Sequence, residues 1–306
     1  MSYFIQFLHP GGEASVPAGT NSMEWNRGRH PRKFFHHPGT CIDSDGNRAK
    51  TALTFWGEWE AECRVIDRHA KSSDGKPTLL FEPSYHKPKS YQGLTNTDPF
   101  VFGETFHYVT CQQFKKDRPG TLNRLQQGDV VLFGSCKNAQ FTLDSVLVVA
   151  KSIEFDPADY LKKLKGKVSK VYEDVVLKTL APDTAPVCGA TSAKKDGCAS
   201  SCASVALPDS ATSRLTRLYY GATVDNPVNG MYSFSPCKTY QVGDWGFARP
   251  VITIPGIITQ NQQQGHRLNP QSGIEDNVKL WNEVQRQVIE AGLCLGTSFD
   301  LPELVK

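Results

Sequence analysis

Leu53-Thr54-Phe55-Trp56-Gly57-Glu58-Trp59-Glu60-Ala61-Glu62-Cys63-Arg64-Val65 alternates with a period of two. Leu53, Phe55, Trp59, Ala61, Cys63 and Val65 fall on one side. That period predicts a half-buried strand, with Gly57 marking a bulge or bend. The other side carries Thr54, Trp56, Glu58, Glu60, Glu62 and Arg64. An indole among carboxylates suits a planar ligand, which can stack on the ring while its N–H groups donate to the acids. Trp59 is a second candidate pocket wall, although alternation sets it towards the core. On one strand face Glu58 and Glu60 would stand roughly 6.5–7 Å apart, near the spacing of an inverting glycosidase pair. The bland reading is a solvated acidic strand with Lys or Arg partners across the sheet.

Upstream, Tyr3-Phe4-Ile5-Gln6-Phe7-Leu8 reads as a strand stopped by His9-Pro10-Gly11-Gly12. Trp25 to His37 interleaves Arg27, Arg29, Arg32 and Lys33 with Trp25, Phe34 and Phe35. Basic and aromatic residues together suit phosphate pairing and base stacking. A surface loop with wet charges and buried rings explains them equally simply.

Downstream, residues 67–97 hold many breakers and read as an irregular insertion placed to close over a ligand. Phe100 to Thr110 alternates again, Gly128-Asp129 makes a turn into Val130-Val131-Leu132-Phe133, and Phe141 to Val149 forms a further strand. Beyond residue 155 the character changes. Asp156-Pro157 starts a helix, and Val168 to Leu180 keeps helical spacing. Residues 181–213 look like a flexible loop. An aromatic, Gly-rich segment spans 218–247. Ser272-Gly-Ile-Glu275 forms a capping box before the stripe Ile274, Val278, Trp281, Val284 and Val288, which Gly292 stops.

The chain of 306 residues carries a formal net charge of only +3, so the overall field attracts no polyanion and any such contact needs a local patch. No run reaches the ~20 apolar residues of a membrane span, so no membrane partner is expected. The start lacks a basic, then apolar, leader, which predicts a cytoplasmic protein. Nine cysteines, an odd number, then read as reduced thiols.

Among metal readings, Cys188, Cys198, Cys202 and Cys237 lack paired short spacings, and Asp43-Ser44-Asp45-Gly46 is better explained as a turn than a calcium loop. No metal and no cofactor are expected. His36-His37 is a weak ligand pair, and His107 could serve Cys111 as a base, although a core histidine is commoner. There is no Gly-x-Ser-x-Gly elbow and no phosphate-cradling loop.

At Leu125-Gln-Gln-Gly128-Asp129-Val-Val-Leu-Phe133-Gly-Ser135 and the strand Phe141 to Val149, the chain resembles PUA-like domains of the EVE and ASCH branches. The Tyr3-Phe4-Ile5 strand and Trp25-Asn26-Arg27-Gly28 are similar to the first strand and the aromatic-basic loop of EVE domains. The Gly-x-Lys-x-x-Glu-x-Arg pattern of ASCH domains is missing. The resemblance covers parts of residues 1–155 and implies a small β-barrel holding a nucleobase or modified base, as in nucleic-acid modification or prokaryotic defence.

These readings combine into an α+β protein. A PUA-like mixed β-barrel occupies residues 1–155 with an insertion at 67–97, and a helix-containing α+β part occupies 156–306, packed on the barrel. The expected ligand is a nucleotide or a nucleic-acid base, held by Trp25, Arg27, Arg29, Arg32, Trp56, Glu58, Trp59 and Glu60. Glu58 and Glu60 would read base donors, and the arginines would engage phosphate. One alternative is a hydrolase of a glycosidic or N-glycosidic bond using Glu58 and Glu60. Another is a protein-interaction module presenting 218–247.

Overall fold

A computed structural model describes the chain except residues 1, 10, 29, 70–74, 116–117, 182–214, 260–263, 270–272 and 306. The architecture is α+β and dominated by strands in two mixed sheets. The first sheet has six strands, in the order Gln264–Arg267, Phe4–Leu8, Val130–Lys137, Gln140–Phe155, Thr216–Gly221 and His107–Tyr108. Phe4–Leu8 and Val130–Lys137 run parallel, and the other neighbours are antiparallel. The second sheet has seven strands, in the order Cys294–Phe299, Ser235–Thr239, Arg48–Gly57, Lys33–Ile42, Leu79–Pro83, Cys63–Arg68 and Ser22–Met23. Cys294–Phe299 also pairs with Lys33–Ile42, which closes four of these strands into a ring.

Strands from both sides of residue 155 share each sheet. Gln140–Phe155 runs up to that point and then pairs with Thr216–Gly221, so the packing crosses the expected domain boundary. The insertion at 67–97 is not wholly irregular: Leu79–Pro83 pairs with Cys63–Arg68, and Tyr85, Tyr91 and Leu94 pack into the core. The alternation of Phe100 to Thr110 yields only the short strand His107–Tyr108, with isolated bridges at Phe100 and Phe102.

The helical expectations hold in outline. Asp156 caps a short turn at Pro157–Asp159, and Lys170–Leu180 is helical with a π turn at Glu173–Leu177. In the helix Ile274–Glu290, Trp281, Val284 and Val288 face the core. Ser272 of the expected capping box and most of the 181–213 loop lie outside the described residues. Among the described residues no helix is long and apolar enough to cross a membrane.

Both faces of the middle of the second sheet are covered, while residues 48–50 and Arg64, Ile66 and Arg68 reach solvent. Phe35, Phe55 and Phe81 join one apolar cluster, while Phe34, Trp56 and Leu80 join the other. The covered middle has no solvated side, so polar side chains there must find partners inside.

Candidate functional site

The stretch Leu53 to Val65 is two strands, not one. Arg48–Gly57 ends at Gly57, residues 58–62 leave the sheet, and Cys63–Arg68 begins a new strand. All six residues on its apolar side lie in one core cluster. Its polar side divides. Glu62 and Arg64 reach the surface, where they meet His86 and Glu82. Thr54, Trp56, Glu58 and Glu60 are buried. Residues 245–249 cover the first two: Trp245 O accepts from Thr54, Phe247 O accepts the Trp56 N–H, and the Arg249 guanidinium lies 5.2 Å over the Trp56 ring. Trp56 therefore does not offer a free face for stacking.

Other segments bring more polar groups to the same place. His9 follows the strand Phe4–Leu8, its N–H donating to Gly134 O. His30, Arg32 and Lys33 arrive at the entry to Lys33–Ile42, with Arg32 N–H donating to Gly12 O at 2.8 Å. Asp144 comes from a bulge: Phe133 pairs with Ser145 and Gly134 with Leu143, leaving Asp144 without a register partner. A bulge re-aims a side chain out of the regular alternation. Gly134 permits the close approach, since a Cβ there would stand 2.2 Å from Thr142 O.

Arg32 is the hub. Its Nη1 donates to Glu58 Oε1 and its Nε to Asp144 Oδ2 at 2.7 Å, while Arg249 Nη1 meets Asp144 Oδ1 at 3.2 Å. Burial on its own would lower the Arg32 pKa, but the Glu58 and Asp144 charges outweigh it and hold the guanidinium protonated. Burial would likewise raise Glu58, yet Arg32 and His9 keep it ionised, well below the usual carboxylate range. His9 bridges onward, with Nδ1 2.8 Å from Glu58 Oε1 and Nε2 3.5 Å from Cys111 Sγ. Glu60 Oε2 accepts from Asn26, and its Oε1 stands 3.4 Å from His30 Nδ1. Lys33 Nζ donates to Trp59 O.

Asp98 sits behind Glu58 and accepts the backbone N–H groups of Val109, Thr110 and Cys111 at 2.8–2.9 Å. Burial pushes its carboxyl up to about 7, and the Glu58 charge adds to the rise against those three donors. A narrow slot reaches this cluster, lined by Arg32, Trp56, Glu58, Pro99, Val101 and Asp144, with space for about one water molecule. Among the described residues, a roomier surface cleft near Lys115, Leu122 and Arg124 is lined by no carboxylate or imidazole.

The expected site residues thus separate. Arg32, Trp56, Glu58 and Glu60 converge. Trp59 is core, donating its N–H to Glu62 O and Ser84 O. Trp25 is buried against Tyr91 and donates to Thr95 O, so it is not a pocket wall. Arg27 is exposed, and Arg29 lies outside the described residues. One oxygen of Glu58 and one of Glu60 lie within 4.8 Å of each other, closer than strand spacing implied, because both residues leave the strand.

His107 packs against Tyr172 and Tyr220 instead of facing Cys111. His36 and His37 point to different partners, Tyr240 and Asp300 O. Cys188, Cys198 and Cys202 lie outside the described residues, while Cys237 is buried beside Cys41 in the four-strand ring. The 218–247 segment buries Leu218, Tyr219, Tyr220, Phe234, Trp245 and Phe247, so these rings present no partner surface, while 225–227 and 241–244, with Val242, stay exposed.

Sequence reasoning missed His9, His30, Asp98, Asp144 and Arg249 as members of the cluster. Asp144 alone carried a signal, a charge inside the apolar run Phe141 to Val149. Comparisons with family models, curated proteins and solved structures return no match.

Proposed function

We propose that the slot is a recognition pocket for a nucleobase or nucleotide, entered edge-on between Trp56 and the Pro99–Val101 wall. One observation carries this reading: Arg32 Nη2 is buried yet has no hydrogen-bond acceptor among the described residues. Its other two nitrogens are spent on Glu58 and Asp144, so the guanidinium is fixed and Nη2 remains for a ligand. An unmet buried donor costs about 1–3 kcal/mol, and an incoming acceptor oxygen would recover it. Carboxylates of Glu58 and Asp144 flank that donor. A ligand edge presenting a carbonyl oxygen beside an N–H complements the set, and the amide edge of a pyrimidine or of guanine has this form.

Trp56 contributes an apolar wall and not a stacking platform. The slot must widen at Pro99–Val101 to take a ring. The Gly128-Asp129 turn, opening Val130–Lys137 with Gln140–Phe155 returning beside it, supports the PUA-like reading and with it a cytoplasmic role on nucleic acid. The hydrolase reading has weaker support, because Glu58 is tied to Arg32 and His9 on one oxygen.

The test is calorimetric titration with nucleosides, mononucleotides, dinucleotides and DNA bearing modified bases. Saturable binding is expected, lost in Arg32→Lys, which keeps charge but not the fork, and weakened in Trp56→Phe. If no ligand of this class binds, or if folded Arg32→Lys binds as the wild type does, the pocket assignment fails.

A further inference from the structure

We propose that His30, Glu58 and Glu60 form a binding site for a first-row divalent transition-metal ion, which adjoins the Arg32 pocket and shares Glu58 with it. The three residues each offer a donor atom, all within 4.8 Å of one another. Each glutamate has one oxygen committed and one open. Glu58 Oε1 faces Arg32 and His9, while among the described residues Oε2 receives a single 3.4 Å contact, from Asp98 N–H. Glu60 Oε2 accepts from Asn26, while Oε1 has no hydrogen bond although the residue is fully buried.

Distance supports the same assignment. His30 Nδ1 and Glu60 Oε1 are 3.4 Å apart, long for an N–H···O bond. Two ligands bound at about 2.1 Å in a tetrahedral site stand about 3.4 Å apart. The pair is therefore already spaced as neighbouring ligands of one ion.

Outer contacts hold the donors in place. Asn26 fixes Glu60, and Arg32 with His9 fix Glu58. Such supporting bonds set ligand orientation in metal sites. One imidazole nitrogen and two carboxylates suit Mn²⁺, Fe²⁺, Co²⁺ or Zn²⁺, whereas Mg²⁺ and Ca²⁺ favour all-oxygen shells. Two carboxylates neutralise the ion. The neighbouring Arg32 charge is countered by Asp144, so it does not stand as an uncompensated cation beside the metal. The His9 ring, 5.3 Å from that of His30, places a second imidazole next to the cluster. The competing account is a simple pair between an imidazolium of His30 and Glu60.

The experiment uses the full chain, stripped with a chelator and titrated with Co²⁺, Mn²⁺ and Zn²⁺ by calorimetry, with the visible absorption of Co²⁺ as a second readout. One equivalent is expected to bind. Glu60→Gln and His30→Gln should each abolish it, with thermal melting to confirm folding. Asn26→Ala should weaken it by about 10–100-fold, as loss of an outer-shell bond does. Glu62→Gln, a surface change beside His86, should leave it intact. Absence of stoichiometric uptake by the wild type, or undiminished uptake by folded Glu60→Gln, overturns the proposal. Trp56→Phe, which changes neither a donor residue nor one of its supporting bonds, reads the base pocket separately, so the two assignments can fail independently.

Discussion

Two arginines in this molecule make nearly the same contacts in opposite surroundings. Arg286, on the helix Ile274–Glu290, meets Glu283 and Glu290 one turn either side, with half of its side chain in water. Arg32 meets Glu58 and Asp144 with 1% of its side chain exposed. The surface trio is a local consequence of helix spacing. The buried trio joins three distant segments and loses its hydration on folding. Exposed pairs contribute little, whereas a buried pair repays its desolvation only when every partner is present. Stability alone does not call for the buried set, since well-packed apolar residues often serve as well. That contrast is the reason to treat the Arg32 cluster as a candidate functional site.

The largest test of the contrast is Arg32→Ala. It leaves Glu58 and Asp144 without their shared cation inside the core. A loss of about 3–5 kcal/mol is expected, read as a fall in the urea midpoint. Arg32→Lys should lie between this variant and the wild type. If Arg32→Ala unfolds at the wild-type midpoint, the cluster is better solvated than its burial indicates and the contrast collapses.

What the sequence revealed follows the same division. Local periodicity located the apolar set from Leu53 to Val65, the stripe of Trp281, Val284 and Val288, and the turn at Gly128-Asp129, because each depends on near neighbours. It also picked out Trp56, Glu58 and Glu60 as an unusual group. It misjudged their environment. Alternation tells which residues share a face, and only the tertiary fold tells what covers that face. Over Thr54 and Trp56 the cover is Trp245, Phe247 and Arg249, which come some 190 positions later in the chain. Period-two counting also assumed that the strand ran on, whereas it stops at Gly57 and drops both glutamates into the interior. His9 sits just past a strand end, and Asp98 lies in the connection between Leu79–Pro83 and His107–Tyr108, where no period applies.

A second prediction moves the comparison from arginine to histidine. His107 is enclosed by Phe100, Tyr172 and Tyr220, and burial pushes its pKa down to about 3. The folded state therefore favours the neutral ring, while the unfolded chain binds a proton near pH 6.5. Stability is fully present above that value and is lost as pH falls towards 3. At pH 5 the loss relative to pH 7 is about 2 kcal/mol. Urea melts at the two pH values should show this difference in the wild type and a smaller one in His107→Phe. An unchanged difference in the variant would assign the acid sensitivity to other groups.

The smallest effect belongs to the surface arginine. Arg286→Ala removes both helix pairs but leaves Glu283 and Glu290 in water, where hydration replaces the guanidinium at little cost. Glu283 also keeps its contact with the Gln287 side chain at 2.7 Å, so the helix surface retains one of its bonds. Alanine is itself a strong helix former, which offsets part of what is lost. The urea midpoint should stay within experimental scatter of the wild type, and raising the salt concentration should shrink any residual difference. A large, salt-insensitive loss would mean that this face of the helix is covered in solution. The two arginines would then differ in what covers them and not in whether they are covered, and the functional weight placed on Arg32 would have to rest on its unmet Nη2 donor alone.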